Sequence, residues 1–219
     1  MKSQKQEKDI SICPIFEKTG CCPHGDFCPL YHMISPLSRC LVFHHLYPNP
    51  LFFKSFFDQK ENETSLNFDE KELQQSFDAF FMDVFLELSQ FGKVDDLFVA
   101  GNLCPHLYGN VFVRFDECDD AMAAHIGLEN RYYAGRKVHS SFVPLERLSS
   151  AICNEHNCIH QSNCNFVHML VPSKHVQMQC FPRAMTSTPE PLRTFKQSKY
   201  LDSPYELLQG RTRLYKLIQ

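Results

Sequence analysis

Positive charge is scarce in this 219-residue sequence: 22 Lys and Arg stand against 25 Asp and Glu, a formal net charge of −3. That excludes a protein that grips nucleic acid through a uniformly basic surface. No apolar run approaches the roughly 20 residues that a membrane-spanning helix needs, so no membrane partner is expected. The opening MKSQKQEKDI has no apolar centre of a secretory signal, and residence inside the cell, with reduced thiols, is the expectation. The 11 cysteines include no Cys-x-x-Cys pair, which argues against a thioredoxin-like redox role, also for the adjacent Cys21 and Cys22. Enough apolar residues remain, 43% of the chain, for one domain with a proper core and small satellites.

What the sequence does have is a repeated metal-ligand spacing. Cys13, Cys22, Cys28 and His32 are separated by eight, five and three residues, and Cys153, Cys158, Cys164 and His168 by four, five and three. Three thiolates and one imidazole make a full tetrahedral set for zinc. The first stretch is too poor in apolar residues to build a core, while Gly20, Pro23 and Gly25 let it turn back on itself. Cys22 rather than Cys21 preserves the repeat, which leaves Cys21 as a spare or neighbouring thiol. His156 and His160 are nearby alternatives that break the repeat. Both sets are closed, whereas a catalytic zinc keeps an open position. Two structural zinc ions are therefore expected, with no enzyme activity and no small-molecule substrate. Chelation is expected to unfold the fingers and leave the middle of the chain standing.

Between the clusters the pattern is that of a mixed domain. Residues 39–47 read as a strand stopped by Pro48 and Pro50, residues 51–57 are ambiguous, and the polar run after them reads as a loop. Phe77, Phe80, Phe81, Val84, Phe85, Leu88 and Phe91 form one apolar stripe at helical period, with acidic residues at its start and Gly92 at its end. Strands are expected over 94–100, 109–115 and 137–143. A second helix, capped by Asp116 and carrying Ala121, Ala124 and Leu128 inward, should run to about Leu128. Residues 130–136 read as a loop. The fold class is thus α+β, a ferredoxin-like βαββαβ domain flanked by two small CCCH fingers. The expected divisions are a disordered 1–11, a finger over 12–36, the domain over 37–145, a second finger over 146–172, and a basic, largely disordered tail over 173–219 in which 205–218 alone suggests a helix. Residues 36–145 hold 9 basic and 16 acidic side chains, and 173–219 hold 8 and 3, so phosphate binding suits the ends better than the centre.

The βαββαβ plan is that of the RNA recognition motif, which stacks bases on aromatics of its two central strands. Here Val42 and Asn110 occupy two of those positions, so the sheet is a poor RNA platform and Phe112 and Phe115 read as structural. The pieces GCCPHGDFC, LYPNP, FFMDVFLEL, LYGNVFVRF, NRYYAGR and CNFVH, in that order over residues 8–172, resemble the small subunit of the U2 snRNP auxiliary factor. That resemblance implies a nuclear pre-mRNA splicing subunit. Its central domain, a U2AF-homology motif, would heterodimerise with the large subunit by holding a Trp-containing peptide. Arg131, Tyr132 and Tyr133 match the family's Arg-x-Phe loop, Tyr133 standing in place of Phe. Asp83 and Glu87, with Asp78 close by, match its acidic first helix. Its fingers would bind the AG of the 3′ splice site, with Phe16, Phe27, Tyr31 and Phe166 as candidate base stackers. The alternative is a protein–protein scaffold that kept the homology motif and lost RNA reading.

Overall fold

The computed structural model describes residues 11–52, 69–145, 147–155 and 157–182. Residues 53–57 of the ambiguous segment 51–57, the polar loop after it, the first ten residues and the suggested helix at 205–218 lie outside them. Helix α1 (Pro14–Thr19) is short and starts with Pro in its first turn, where a missing N–H costs nothing. It ends on Gly20 at φ +66°, where an added Cβ would lie 2.0 Å from Val143 Cγ1. A left-handed backbone and a close approach to the sheet both require glycine there.

Strand β1 (Cys40–Phe43) is shorter than the expected 39–47. His45 turns the chain at φ +53°, and its N–H is taken by Asn110 Oδ1 at 2.9 Å instead of by a strand partner. Helix α2 (Glu70–Leu88) is capped by Asp69, whose carboxylate accepts from the Lys71 N–H. It buries Phe77, Phe80, Phe81, Val84 and Leu88, with Phe85 and Phe91 half-buried. It stops before Gly92, because Ser89 Oγ donates back to the Phe85 carbonyl and the chain tightens into turns. Strands β2 (Val94–Ala100) and β3 (Val111–Phe115) follow. Helix α3 (Cys118–Leu128) starts from Glu117, not Asp116. Asp116 instead accepts from Lys93 Nζ at 2.8 Å. The stretch expected as a loop contains a small hairpin, β4 (Tyr132–Tyr133) and β5 (Arg136–Lys137), before β6 (Ser140–Phe142).

The sheet has the order β6-β1-β3-β2-β7, with every pairing antiparallel. Its last strand, β7 (Met169–Leu170), comes from the end of the second finger and pairs with β2. A further helix, α4 (Lys174–Cys180), lies inside the stretch expected to be disordered. Val176 and Cys180 are buried, and Phe181 packs edge-on to Phe85 of α2 at 5.2 Å. The apolar positions of 176–181 are enough to dock a two-turn helix on α2, which composition alone does not register.

Strand alternation sends side chains to two faces, and both are buried. Leu41, Phe43, Leu97, Val99, Val111, Val113 and Phe115 pack on α2 and α3. Cys40, Val42, Phe98, Ala100 and Phe112 pack on Cys21 of the first finger, on Leu148, Ala151 and Val167 of the second, and on Val143 and Leu145 of the segment between. Phe98 and Phe112 stack on each other at 4.9 Å beneath this cover. The face on which an RNA recognition motif stacks bases is therefore closed.

Candidate metal centres and interaction surfaces

Each finger is a loop closed by the same backbone device. Cys13 N–H donates to the Tyr31 carbonyl at 2.9 Å and Cys153 N–H to that of Val167 at 3.0 Å, so the first Cys lies beside the residue preceding the His in both. A single 3₁₀ turn precedes the third Cys in each, Gly25–Phe27 before Cys28 and Gln161–Asn163 before Cys164. The eight-residue spacing of the first finger accommodates α1; the four-residue spacing of the second leaves no room for a helix.

These folds bring Cys13, Cys22, Cys28 and His32 together, and likewise Cys153, Cys158, Cys164 and His168, with the ligand atoms of each set all within 4.8 Å of one another. Both sets could hold a metal ion. In the first, the Cys13 and Cys22 sulfurs are 3.8 Å apart, and His32 Nε2 is buried with no hydrogen-bond partner among the described residues. A buried nitrogen of that kind is costly unless something coordinates it. His160 is exposed and outside the second set, and His156 lies outside the described residues.

Cys21 points the other way. Its sulfur accepts from Asn110 Nδ2 at 3.2 Å against the sheet, and burial pushes its thiol up to about 12. Cys22→Ser is accordingly expected to halve the metal content of the purified chain, while Cys21→Ser retains both ions and lowers the melting temperature. Metal analysis of the two variants checks this; the reverse pattern would exchange the roles of the two thiols.

Two buried asparagines that sequence reasoning did not assign fasten the fingers to the domain. Asn102 donates to the carbonyls of Cys164 and Phe166, both at 3.0 Å, and accepts from the His168 N–H at 2.8 Å. Asn110 holds Cys21 while its Oδ1 takes the His45 N–H. The signal was present at Asn110: an amide where the fold usually carries an aromatic has to find polar partners.

The four candidate base stackers are not equivalent. Phe16 lies flat on His32 of the first Cys3His set, ring centroids 4.2 Å apart and 5° from parallel, so one face is already used. Phe27 is 95% exposed and Tyr31 is exposed. Phe166 is half-buried, with Lys18 of the first finger over its ring at 5.7 Å. The two fingers thus meet at a shared surface.

On the other side of the domain a cavity of about 210 Å³ opens between α2 and the β4–β5 hairpin. Asp83, Glu87, Arg131, Tyr132 and Tyr133 line it above a floor that includes Val84 and Leu128. It is below the roughly 300–1,000 Å³ of small-molecule pockets and on the scale of one large side chain. The Arg131 guanidinium is paired with Glu87, Tyr133 sets its ring edge-on to Phe80, and Tyr132 is 70% exposed. Asp78 is not among the lining residues: its Oδ1 accepts from the Ser173 N–H at 2.8 Å and from Gln74, holding the start of α4. It is a structural anchor, and the acidic contribution to this cavity comes from Asp83 and Glu87.

No family model matches the chain. Individual proteins do. It is 33% identical over 180 residues to one of the splicing factor U2af small subunits of Arabidopsis thaliana, covering 81% of this chain and 60% of that protein. Against the splicing factor U2AF 23 kDa subunit of Schizosaccharomyces pombe it is 33% identical over 170 residues, 76% of this chain and 74% of the relative. The splicing factor U2AF 26 kDa subunit of Bos taurus is 33% identical over 181 residues, with 81% and 80% covered. The chain thus spans about three fifths of the length of the plant protein and most of the other two.

Proposed function

Because the chain belongs to the U2AF small-subunit family, we propose that it acts in the nucleus as the small subunit of a pre-mRNA splicing heterodimer. Its two fingers bind RNA at the AG of the 3′ splice site, and its central domain holds a Trp-containing peptide of the large subunit. The observation that carries this reading is the closure of the sheet: with Val42, Phe98 and Phe112 buried, RNA recognition falls to the fingers. The cavity on the helical side is left for protein.

Zinc is the ion that best suits both Cys3His sets. Sulfurs bound tetrahedrally at about 2.3 Å lie roughly 3.8 Å apart, the separation of Cys13 and Cys22. The metal's part is to hold the fold of each finger, and no bond-making step is assigned to the protein. The cavity matches a Trp in size, and Asp83 and Glu87 at its rim suit basic residues flanking that Trp.

The scaffold reading has one observation in its favour. Residues 12–36 and 146–172 together contain only Lys18 and Arg147 as Lys or Arg. Binding of a fluorescent single-stranded RNA carrying AG, measured with the large-subunit peptide present, separates the two. Phe27→Ala and Phe166→Ala are each expected to weaken binding by about 1–3 kcal/mol, the range for a lost base–aromatic stack, with metal content unchanged. Indifference to both changes would leave the scaffold as the better account.

A further inference from the structure

A second cavity, of about 540 Å³, lies at one end of the finger-covered face of the sheet and is lined by Arg39, Asp96, Arg114, Arg147, Leu148 and Ser149. Three arginines meet there in a domain whose balance is acidic. They come from three parts of the chain: Arg39 from the connector after the first finger, Arg114 from β3, and Arg147 from the start of the second finger. Arg114 is neutralised locally, its Nη1 3.2 Å from Asp95, with Asp96 its neighbour across the β2–β3 pairing. Lys93 bridges Asp95 and Asp116 close by. Arg39 gives one N–H to the Asp116 carbonyl at 3.2 Å, and among the described residues neither Arg39 nor Arg147 has an ion pair. A guanidinium carries five N–H donors, so most of this donor capacity is uncommitted, and the Ser149 hydroxyl adds to it.

The fingers themselves are nearly devoid of cations, Lys18 and Arg147 being all that residues 12–36 and 146–172 supply. A strand of RNA stacked on their aromatics still has to have its backbone charge met. Leu148, in the wall of this cleft, is also part of the finger–sheet contact, so the cleft adjoins the finger surface. The planar fork of Arg matches two phosphate oxygens at once. We propose that the cleft between Arg39, Arg114 and Arg147 binds a backbone phosphate of the single-stranded RNA held by the fingers. This rests on the RNA reading of the fingers and adds to it the place where the phosphodiester chain leaves them. Arg39 and Arg147 make the contact; Arg114, tied to Asp95, shapes the wall.

The test uses the full metal-loaded chain with the large-subunit peptide and measures affinity for a fluorescent AG-containing RNA across a salt series. The R39Q/R147Q double variant is expected to bind about tenfold more weakly, as for a lost charge-assisted hydrogen bond. Its log–log salt slope should fall by about 0.7 for each phosphate contact removed. Discrimination between AG and a scrambled RNA should be unchanged, since phosphate contacts carry no sequence information. If the double variant loses metal or fails to fold, R147Q alone, at an exposed position, carries the test, and R147K should recover most of the slope. Wild-type affinity and slope in the variants would overturn the phosphate site and leave the finger reading intact. No RNA binding by the wild-type chain would remove both. Capture of a phosphoserine peptide that depends on Arg147, with RNA binding untouched, would overturn RNA as the occupant.

Discussion

Chelating the metal from the fingers is expected to destabilise the whole folded unit and not the fingers alone. The spacing of the two clusters suggests independent satellites that unfold while the middle domain survives. The packing contradicts that independence. Val42, Phe98 and Phe112 of the sheet are covered by Cys21, Leu148, Ala151 and Val167, all within or bordering the fingers. Uncovering three such side chains costs about 1.5–3 kcal/mol each. Against a typical total stability of about 5–15 kcal/mol, that is a large share. A further loss comes from β7, which leaves the edge of β2 when the second finger opens. The expected result is a melting transition lowered by roughly 10 °C or more, together with binding of a hydrophobic dye at low temperature. An unchanged melting curve for the chain after both ions are removed would mean that the cover holds without metal. Single-site variants refine the result: Cys164→Ser should weaken both the second finger and β7, because Asn102 ties the Cys164 carbonyl to the loop after β2.

Arg131→Ala is expected to weaken binding of a Trp-containing basic peptide from the large subunit by about 2 kcal/mol or more, the range of a hot-spot truncation. The reason lies in the geometry of the cavity. Arg131 is held at it by its pairing with Glu87, and Tyr133, also in its lining, is braced against Phe80. A guanidinium already oriented by a carboxylate loses little freedom when a Trp ring stacks on it. Tyr133→Phe is expected to keep or improve binding, since the ring and its edge-on contact remain. Reversing the charge of Asp83 and Glu87 should mainly slow association and flatten its salt dependence, with the Glu87 change also releasing Arg131. Asp78→Asn belongs to a different class: it should loosen α4 through the Ser173 contact and leave peptide association rates unaltered. Calorimetry and stopped-flow mixing measure all four. Equal binding by Arg131→Ala and the wild-type chain would show that this cavity is not the partner's seat.

The metal-ligand sets were the most legible part of the chain. Each set lies within 20 consecutive residues and is written in a spacing, and spacing is preserved whatever the rest of the chain does. The long helix was equally plain, since a stripe from Phe77 to Leu88 at period 3.6 has one folded solution. The order of the longer strands and helices followed from local alternation, with errors at the ends: β1 stopped at Phe43 because His45 turns, and α3 began after Asp116 because Lys93 claimed that carboxylate. The short β4–β5 hairpin, β7 and α4 were missed outright. These ends are settled by side-chain partners that lie far away in sequence.

Everything that joins the parts was decided by the tertiary structure. Sequence shows that Asn110 is a poor base stacker; only the fold shows that its amide reaches Cys21, 89 residues away. The acidic residues of α2 look alike in sequence. Packing gives Asp78 to α4 and leaves Asp83 and Glu87 at the cavity, because a helix turns its side chains by about 100° per residue and each direction meets a different neighbour. The same holds for Arg39, Arg114 and Arg147, which are far apart along the chain and adjacent in space. Spacing and periodicity are properties of neighbours in sequence, so the sequence by itself determined the two Cys3His sets, the two longer helices and the succession of β1, β2 and β3, while the β4–β5 hairpin, β7 and α4 did not show in it. Which surface covers the sheet, and which charges share a cleft, depends on contacts between distant segments, and those exist only once the chain has folded.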